Sequence, residues 1–199
     1  MKSRAFISVV SILFGLSSLA YAQSSVSKDI HIAKDKKSSR NVSTVSGDIF
    51  VGNGTVVKGD VSAVSGDISI GSKARVGNIE VVSGNISIGK GAKTVNLEAV
   101  SGDIHLYEKS DVGGSIGTVS GDVNCDSGSD IVKSIKTVSG DVELDDSRLR
   151  GSLKTVSGDI SLFNGSMIDG DIIIDRKSDV VRFHDGKLKI IIDMNSVVK

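Results

Sequence analysis

Apolar and polar residues alternate along most of this chain, and one short unit carries the alternation. In its full form the unit reads Val-Ser-Gly-Asp-Ile, and it recurs every 18 or 19 residues. Its copies begin at Val45, Val64, Val82, Val100, Val119, Val138 and Val156, and a degenerate copy begins at Val26. A fixed period this short, held over most of a chain, is typical of a solenoid in which each repeat forms one coil.

Polarity also alternates inside the unit with a period of two, which predicts a strand with one buried face. On this pattern we expect Val64, Gly66 and Ile68 to point inward and Ser65 and Asp67 to point outward. Two properties of glycine could explain its presence on the inward face. It tolerates a positive φ at a bend, and it leaves room where the backbone is crowded.

Counting by sixes divides each period into three segments, which predicts a triangular coil with three short strands. The count requires single-residue insertions at Gly117 and Asp130, and it places Cys125 in the core. Two positions of the inward column are polar, Thr94 and Arg150. The adjacent Val95 or Leu149 can supply the missing apolar side chain. The predicted inward column is Val64, Ile70, Val76, Val82, Ile88, Thr94, Val100, Leu106, Val112, Val119, Cys125, Val132, Val138, Leu144, Arg150, Val156, Leu162 and Ile168.

The predicted fold is therefore all-β, a single-stranded triangular β-helix of 18–19-residue coils over residues 23–174. Its handedness is left open by the residues. The alternation changes in residues 175–199, where two alternating runs flank Asp185-Gly186 and predict a hairpin. The segment Ile190–Lys199 then aligns with Ile49–Lys58, which predicts an incomplete terminal coil.

Residues 1–22 have the pattern of a secretory signal peptide rather than of a folded element. Lys2 and Arg4 precede an apolar run from Phe6 to Leu19, and Ala20-Tyr21-Ala22 forms a small-residue cleavage site before Gln23. The run is shorter than the ~20 residues of a membrane-spanning helix. We therefore expect a bacterial protein exported to the periplasm, the cell surface or the medium.

Composition adds constraints on partners and redox chemistry. The whole chain has 24 basic and 24 acidic side chains, and removal of Lys2 and Arg4 leaves 22 against 24, a net charge of −2. This balance gives no reason to expect nucleic acid as a partner. Cys125 is the one cysteine, so the chain cannot form an internal disulfide.

One acidic residue in each copy predicts a ladder of carboxylates. Like charges ~4.8 Å apart cost about 1 kcal/mol per neighbouring pair in water. Calcium, lysines such as Lys136 and Lys154, or backbone N–H groups at the turn could offset this cost. The chain lacks the Gly-Gly-x-Gly-x-Asp nonapeptide of calcium-binding solenoids, so turn carboxylates are the favoured interpretation and calcium the weaker one. The candidate residues are Asp48, Asp67, Asp103, Asp122, Asp141 and Asp159, with Asn85 at the remaining rung.

The histidines do not suggest a metal or catalytic centre. His31 and His105 occupy the same position four coils apart, or about 19 Å at the strand spacing, whereas ligands must lie within a few ångströms of a metal. His184 belongs to the predicted hairpin. No serine, cysteine or threonine nucleophile pairs with a histidine by register, so we expect no enzyme activity and no cofactor.

A flat face of hydroxyl and carboxylate rows is the candidate binding surface. Such rows could contact glycans, another protein or ice, although every solenoid also has plain solvated faces. The predicted face comprises Thr118, Ser120, Thr137, Ser139, Thr155 and Ser157, together with the neighbouring aspartates.

The Ser-Gly-Asp-Ile copies, alternating with glycine-containing segments such as Val57–Val61, resemble an adhesin-like family of bacterial Ser-Gly-Asp repeat solenoids. They are also similar to bactofilins, which are polymer-forming cytoskeletal proteins. The resemblance covers residues 26–174 and implies a right-handed triangular helix that can stack end to end. Together with the signal peptide, which departs from the usual cytosolic setting of bactofilins, and with the lack of a paired nucleophile, it leads us to expect an exported, non-enzymatic, adhesin-like protein of the cell envelope. The alternatives are a self-assembling polymer scaffold or a calcium- or glycan-binding module.

Overall fold

The computed structural model describes residues 23–174 and the strand Val181–Phe183. The predicted signal peptide, residues 1–22, lies outside this part of the chain, as does most of the predicted C-terminal hairpin. The described residues form twenty-six short β-strands, which assemble into three parallel sheets. Among them there is no helix with the length and hydropathy of a membrane span.

The first sheet contains the longest strands, most of them five residues long. It has nine strands, and each one pairs with its equivalent in the next coil. They are Gln23–Ser25, Val42–Ser46, Val61–Ser65, Ile79–Ser83, Leu97–Ser101, Ile116–Ser120, Ile135–Ser139, Leu153–Thr155 and Ile172–Ile174.

The second sheet follows the Ser-Gly-Asp corner of each coil and also has nine strands. They are Ile30–Ile32, Ile49–Val51, Ile68–Ile70, Ile86–Ile88, Ile104–Leu106, Val123–Cys125, Val142–Asp145, Ile160–Phe163 and Val181–Phe183.

The third sheet closes the coil with eight two-residue strands. They are Lys37–Ser38, Val56–Val57, Arg75–Val76, Lys93–Thr94, Asp111–Val112, Asp130–Ile131, Arg148–Leu149 and Met167–Ile168.

Every pairing between named strands is parallel and joins equivalent residues of successive coils. Ile79, for example, lies between Val61 of the preceding coil and Leu97 of the following one. The three sheets stack as a roughly triangular β-solenoid of about eight turns, so the predicted fold class is confirmed.

The corner between the first and second sheets has a constant length. The step from the first inward residue of one sheet to that of the next is seven positions, as in Val61 to Ile68 and Leu97 to Ile104. The other two corners vary in length from coil to coil. Val57 to Val61 takes four residues, for example, whereas Val76 to Ile79 takes three.

This variation explains the mixture of 18- and 19-residue periods and corrects the predicted insertions. Gly117 pairs in register with Glu98 of the first sheet. Asp130 pairs in register with Asp111 of the third sheet. Neither residue is inserted, because the extra residue in a long coil lies in the bend between strands.

The core is a narrow column of aliphatic side chains enclosed by the three sheets. Ile68, Ile104 and Ile116 are completely buried, and small residues such as Ala63 and Ala74 fill the space between larger ones. Cys125 lies in this column, as predicted. No chain segment could bury such an edge alone, so each coil depends on its neighbours.

The predicted inward position of the unit's valine is wrong. In the coil beginning at Val61, the buried residues are Val61 and Ala63 before the corner and Ile68 and Ile70 after it, while Val64 is only half-buried. The step from Ala63 to Ile68 is five residues, an odd number. The corner therefore reverses which alternate positions face the core.

The third sheet requires a similar correction. Ile131 is buried and Val132 exposed, the reverse of the prediction. Thr94 is itself buried, so Val95 does not replace it, whereas Leu149 does occupy the core position beside Arg150.

The strand Val181–Phe183 pairs in parallel with Ile160–Leu162 as the ninth strand of the second sheet. Parallel pairing thus continues beyond residue 174, where the predicted repeats end. The second arm of the predicted hairpin and the predicted terminal coil lie outside the described residues.

Replacing Val142 and Val138 by alanine tests the reversal at the corner. Val142 is completely buried and Val138 is 38% exposed, although only Ser-Gly-Asp separates them. We expect Val142→Ala to lower the free energy of unfolding by about 2 kcal/mol through lost burial and a cavity. Val138→Ala, the matched control, should cost below about 1 kcal/mol. Urea unfolding of dilute protein measures both, and equal losses would contradict the reversal.

Candidate functional site

The Ser-Gly-Asp corner holds its glycine in a conformation that L side chains rarely adopt. The seven corner glycines have φ between 136° and 155°. A Cβ placed on Gly121 would also lie 2.1 Å from the carbonyl oxygen of Gly102 in the preceding coil. Both reasons for glycine therefore apply, because the bend requires a positive φ and the stacked corners approach closely.

The aspartate of each corner hydrogen-bonds to the next coil. The backbone N–H of Asp67 donates to Oδ1 of Asp48 at 2.8 Å, and the N–H of Asp141 donates to Oδ1 of Asp122 at 2.8 Å. Asn85 fills its rung in the same way, because its side-chain oxygen accepts the N–H of Asp103 at 2.8 Å.

The ladder begins in the degenerate first copy and continues to the last full copy, which begins at Val156. In the degenerate first copy, Oδ1 of Asp29 accepts the N–H of Asp48 at 2.9 Å. At the other end, the N–H of Asp159 donates to Asp141 at 2.7 Å. Each bond pairs a backbone donor that the bend would otherwise leave without a partner in the sheet.

These bonds support the interpretation of the ladder as turn carboxylates. The calcium candidates Asp48, Asp67, Asp103, Asp122, Asp141 and Asp159 contribute one carboxylate per coil. In the described part of the chain, no three histidine, cysteine, aspartate or glutamate side chains are grouped so as to hold a metal ion.

The predicted binding face is wrong in its threonines. Thr118, Thr137 and Thr155 are buried inside the first sheet. Within residues 23–174 their hydroxyl oxygens have no hydrogen-bond partner. Ser120 and Ser139 are exposed. Ser157 is half-buried, so only the serine and aspartate rows of the prediction reach solvent.

The outer face of the first sheet carries two rows of side chains that counting the sequence by sixes does not predict to lie there. The valine row consists of Val45, Val64, Val82, Val100, Val119, Val138 and Val156. The charged row, two residues earlier in each strand, consists of Ser43, Ser62, Glu80, Glu98, Gly117, Lys136 and Lys154.

Acidic and basic side chains are separated along the charged row. Glu80 and Glu98 are neighbours in register, and so are Lys136 and Lys154. Partial burial raises the pKa of the Glu80 carboxyl, and the nearby carboxylates of Glu98 and Asp60 raise it further. Concentrated negative charge at this position is therefore unfavourable within the single chain.

The third sheet instead pairs several of its outer charges within the chain. Lys93 pairs with Asp111 of the next coil, and Arg150 donates from Nη2 to Asp130 at 2.5 Å. The hydrogen bond from Arg150 holds the pKa of Asp130 below its ordinary value. Arg150, predicted as a polar exception in the core column, is thus an exposed partner in an ion pair.

The second sheet carries the histidines on its outer face. His31 stacks on Phe50 with ring centroids 4.7 Å apart, and His105 stacks on Tyr107 at 4.2 Å. Nε2 of His105 also lies 3.0 Å from Oδ1 of Asp126. The predicted separation of these two histidines by four coils holds in the sheet register, whereas His184 lies outside the described residues.

The thiol of Cys125 is chemically inert in this setting. Burial raises its pKa to about 12, and the nearby Asp126 carboxylate raises it in the same direction. Because the thiolate is the nucleophilic form, the buried thiol has little reactivity near neutral pH.

The three parallel sheets and the repeated corner define the protein as a β-solenoid. The chain belongs to the Toastrack DUF4097 family, whose family model matches residues 77–197. No curated protein and no solved structure matches the chain.

Two substitutions at Asp122 separate the role of its oxygen from that of its charge. Asp122→Ala removes the acceptor for the N–H of Asp141 and should cost about 1 kcal/mol. Asp122→Asn keeps an acceptor, as Asn85 does naturally, and should stay within about 0.5 kcal/mol of the wild type. Urea unfolding gives both values. Equal destabilisation would show that the charge, rather than the hydrogen bond, is what the corner requires.

Proposed function

We propose that this protein is an exported, non-enzymatic structural module of the bacterial cell envelope with an adhesin-like role. The observation that carries the proposal is the use of the repeated polar motif by the fold itself. In each corner, the glycine allows close stacking and the aspartate binds the backbone of the next coil. The most repeated residues of the chain therefore serve architecture rather than a unique reaction centre.

The shape of the molecule suits a scaffold. Nine strands in register, spaced by ~4.8 Å, span about 38 Å along the solenoid axis. Hydrogen bonds between neighbouring coils run along the full length, and the core is continuous. Such a prism holds surface side chains in straight rows, which an extended glycan or protein can contact over several coils.

Sequence features support the proposed location and role. Residues 1–22 have the charge, apolar run and cleavage site of a signal peptide. The repeats resemble adhesin-like bacterial solenoids. The stacked pairs His31–Phe50 and His105–Tyr107 offer flat ring surfaces of the kind that sugars contact, and they mark the second sheet as the surface for a cell-surface partner.

Expression of the full chain with a C-terminal tag in a bacterial host tests the proposed export. We expect a processed product beginning at Gln23 in the extracytoplasmic fractions, because the apolar run directs export and Ala22 precedes the cleavage site. Cell fractionation and N-terminal sequencing measure location and processing.

The matched control is Leu13→Arg, which interrupts the apolar run without touching residues 23–199. This variant should remain unprocessed in the cytoplasm. A wild-type chain that also remains there unprocessed would refute the proposed envelope location.

End-to-end assembly is a second candidate function, favoured by opposite charges at the two ends of the described solenoid. Lys36 precedes the first strand of the third sheet and Lys37 begins it, and both side chains are exposed. Asp169 and Asp171 are exposed after its last strand. Head-to-tail stacking would bring these groups together and extend the three sheets across the junction.

Negative-stain microscopy and light scattering test this assembly. Filaments should form at low salt and be lost in Lys36→Glu/Lys37→Glu, because the reversed charges would repel the acidic end. Lys58→Glu/Lys73→Glu makes the same change in charge at exposed positions within the solenoid and should leave filaments intact. Particles that remain single and short at every concentration would exclude the second candidate.

A further inference from the structure

The outer face of the first sheet combines an apolar stripe with charges separated by sign. The valine row crosses seven coils, which is about 29 Å at the strand spacing. Its members range from half-buried to exposed, with Val45 at 43% and Val138 at 38%. A continuous stripe of this kind is unusual on a solvated sheet face, where polar side chains normally alternate with the buried ones.

The charged row beside this stripe is arranged symmetrically about Gly117. Glu98 and Lys136 are each one coil away from it, on opposite sides. Glu80 and Lys154 are each two coils away, again on opposite sides. The row therefore reads acidic, acidic, glycine, basic, basic.

The described structure gives these four side chains no ion-pair partner. Its salt bridges connect other residues, such as Lys93 with Asp111 and Arg148 with Asp169 on and beside the third sheet. In the first sheet, each charge instead has a like charge as its nearest neighbour within the row, about 4.8 Å away. The raised pKa of Glu80 is consistent with this repulsion.

We propose that a second copy of this chain docks face to face on the first sheet, with the two solenoid axes antiparallel. The two-fold axis would lie between the faces, parallel to the strand that contains Gly117. This operation reverses the order of coils but preserves position along the strand. The valine rows of the two copies then face each other, and so do the charged rows.

The reversed order matches every charge with its opposite. Lys136 faces Glu98 of the partner subunit, and Lys154 faces Glu80 of the partner subunit. Because the interface is isologous, each of these contacts occurs twice. A parallel arrangement would instead place Glu98 opposite its own copy, so the charge pattern selects the antiparallel one.

The size and shape of the face suit a dimer. With Gly117 on the two-fold axis, seven strands of each copy overlap, from Val61–Ser65 to Ile172–Ile174. Seven strands at ~4.8 Å and about five residues at ~3.3 Å give roughly 550 Å² per copy, or about 1,100 Å² in total, above the ~1,000 Å² that a specific interface needs. Gly117 has no side chain at the two-fold axis. Apart from its two chain neighbours, no described residue lies within 4 Å of the position that its Cβ would take, so the two faces can approach there.

A charge exchange within the row tests the proposal on protein purified after expression of the full chain. Sedimentation equilibrium should show a monomer–dimer equilibrium for the wild type. Glu98→Lys and Lys136→Glu should each weaken dimerisation at least about tenfold, because each places like charges opposite one another twice. The double variant Glu98→Lys/Lys136→Glu restores opposite charges and should recover dimerisation to near the wild-type level.

Val119→Arg provides a second disruption, because Val119 lies in the same strand as Gly117 and the substitution places two arginines opposite each other in the apolar stripe at the two-fold axis. Circular dichroism and thermal melting of each variant establish that the exposed substitutions leave the fold intact. A control of the same kind on the third sheet, Arg75→Glu, should leave dimerisation unchanged.

Four results would overturn the inference. They are a wild type that stays monomeric throughout, single variants that dimerise as well as the wild type, a double variant that does not recover, and dimers lost equally in Arg75→Glu. Open-ended assembly that persists in Glu98→Lys would likewise refute it, because the association would then depend on the coil ends rather than on this face.

Discussion

Parallel stacking places every bend of one coil directly over the same bend of the next, and this coincidence constrains the whole molecule. A backbone group left unpaired at one corner would be left unpaired at all of them. The Gly-Asp pair resolves the problem at the corner between the first and second sheets. Gly121 and its equivalents allow the corners to approach closely, and each aspartate accepts the N–H of the next rung. The constant seven-residue spacing and the straight aliphatic core follow from this corner.

Stacking also brings like charges close together when a charged residue recurs at the same position of each coil, because equivalent positions lie ~4.8 Å apart. The three outer surfaces deal with this in different ways. The corner aspartates accept backbone N–H groups, and the third sheet places some opposite charges in adjacent coils, so that pairs such as Lys93 and Asp111 form within the chain. The first sheet separates its glutamates from its lysines. Its charges are therefore complementary to a surface on which the same charges run in the reverse order.

The period of the sequence was sufficient to predict the coil, its three strands and the burial of Ile68 and Cys125. It was not sufficient to predict which face the unit's valine occupies. A repeat of 18 or 19 residues aligns Val64 with its equivalents in one column and Ala63 with its equivalents in the adjacent column, whichever column faces the core. Because valine is more apolar than alanine, the pattern favours the wrong column as the buried one. The odd step at the corner depends on the φ of Gly66, which composition does not reveal.

The prediction that this valine points inward also places the threonines on the surface and requires insertions at Gly117 and Asp130, and the structure contradicts both. A signal for the correct register was nonetheless present, since the residue three before each valine is aliphatic, as at Val61, Ile79 and Leu97. Strict alternation from these positions places Ala63, Val81 and Thr118 inside. The charged row then falls on the outer face without further assumptions. Its symmetry about Gly117 emerges only when the coils are aligned by strand pairing.

The unequal tolerance of the three corners has a consequence for how such a protein can change length over evolutionary time. Loss or duplication of one whole coil joins equivalent corners and leaves every side chain on its original face. A one-residue change in the bend between the third and first sheets is already accommodated, because bends of three and four residues coexist there. A one-residue deletion within Ser-Gly-Asp would instead exchange the buried and the exposed side chains of the following strand. Genes of this kind should therefore grow and shrink by entire coils, with the motif as the fixed boundary between them.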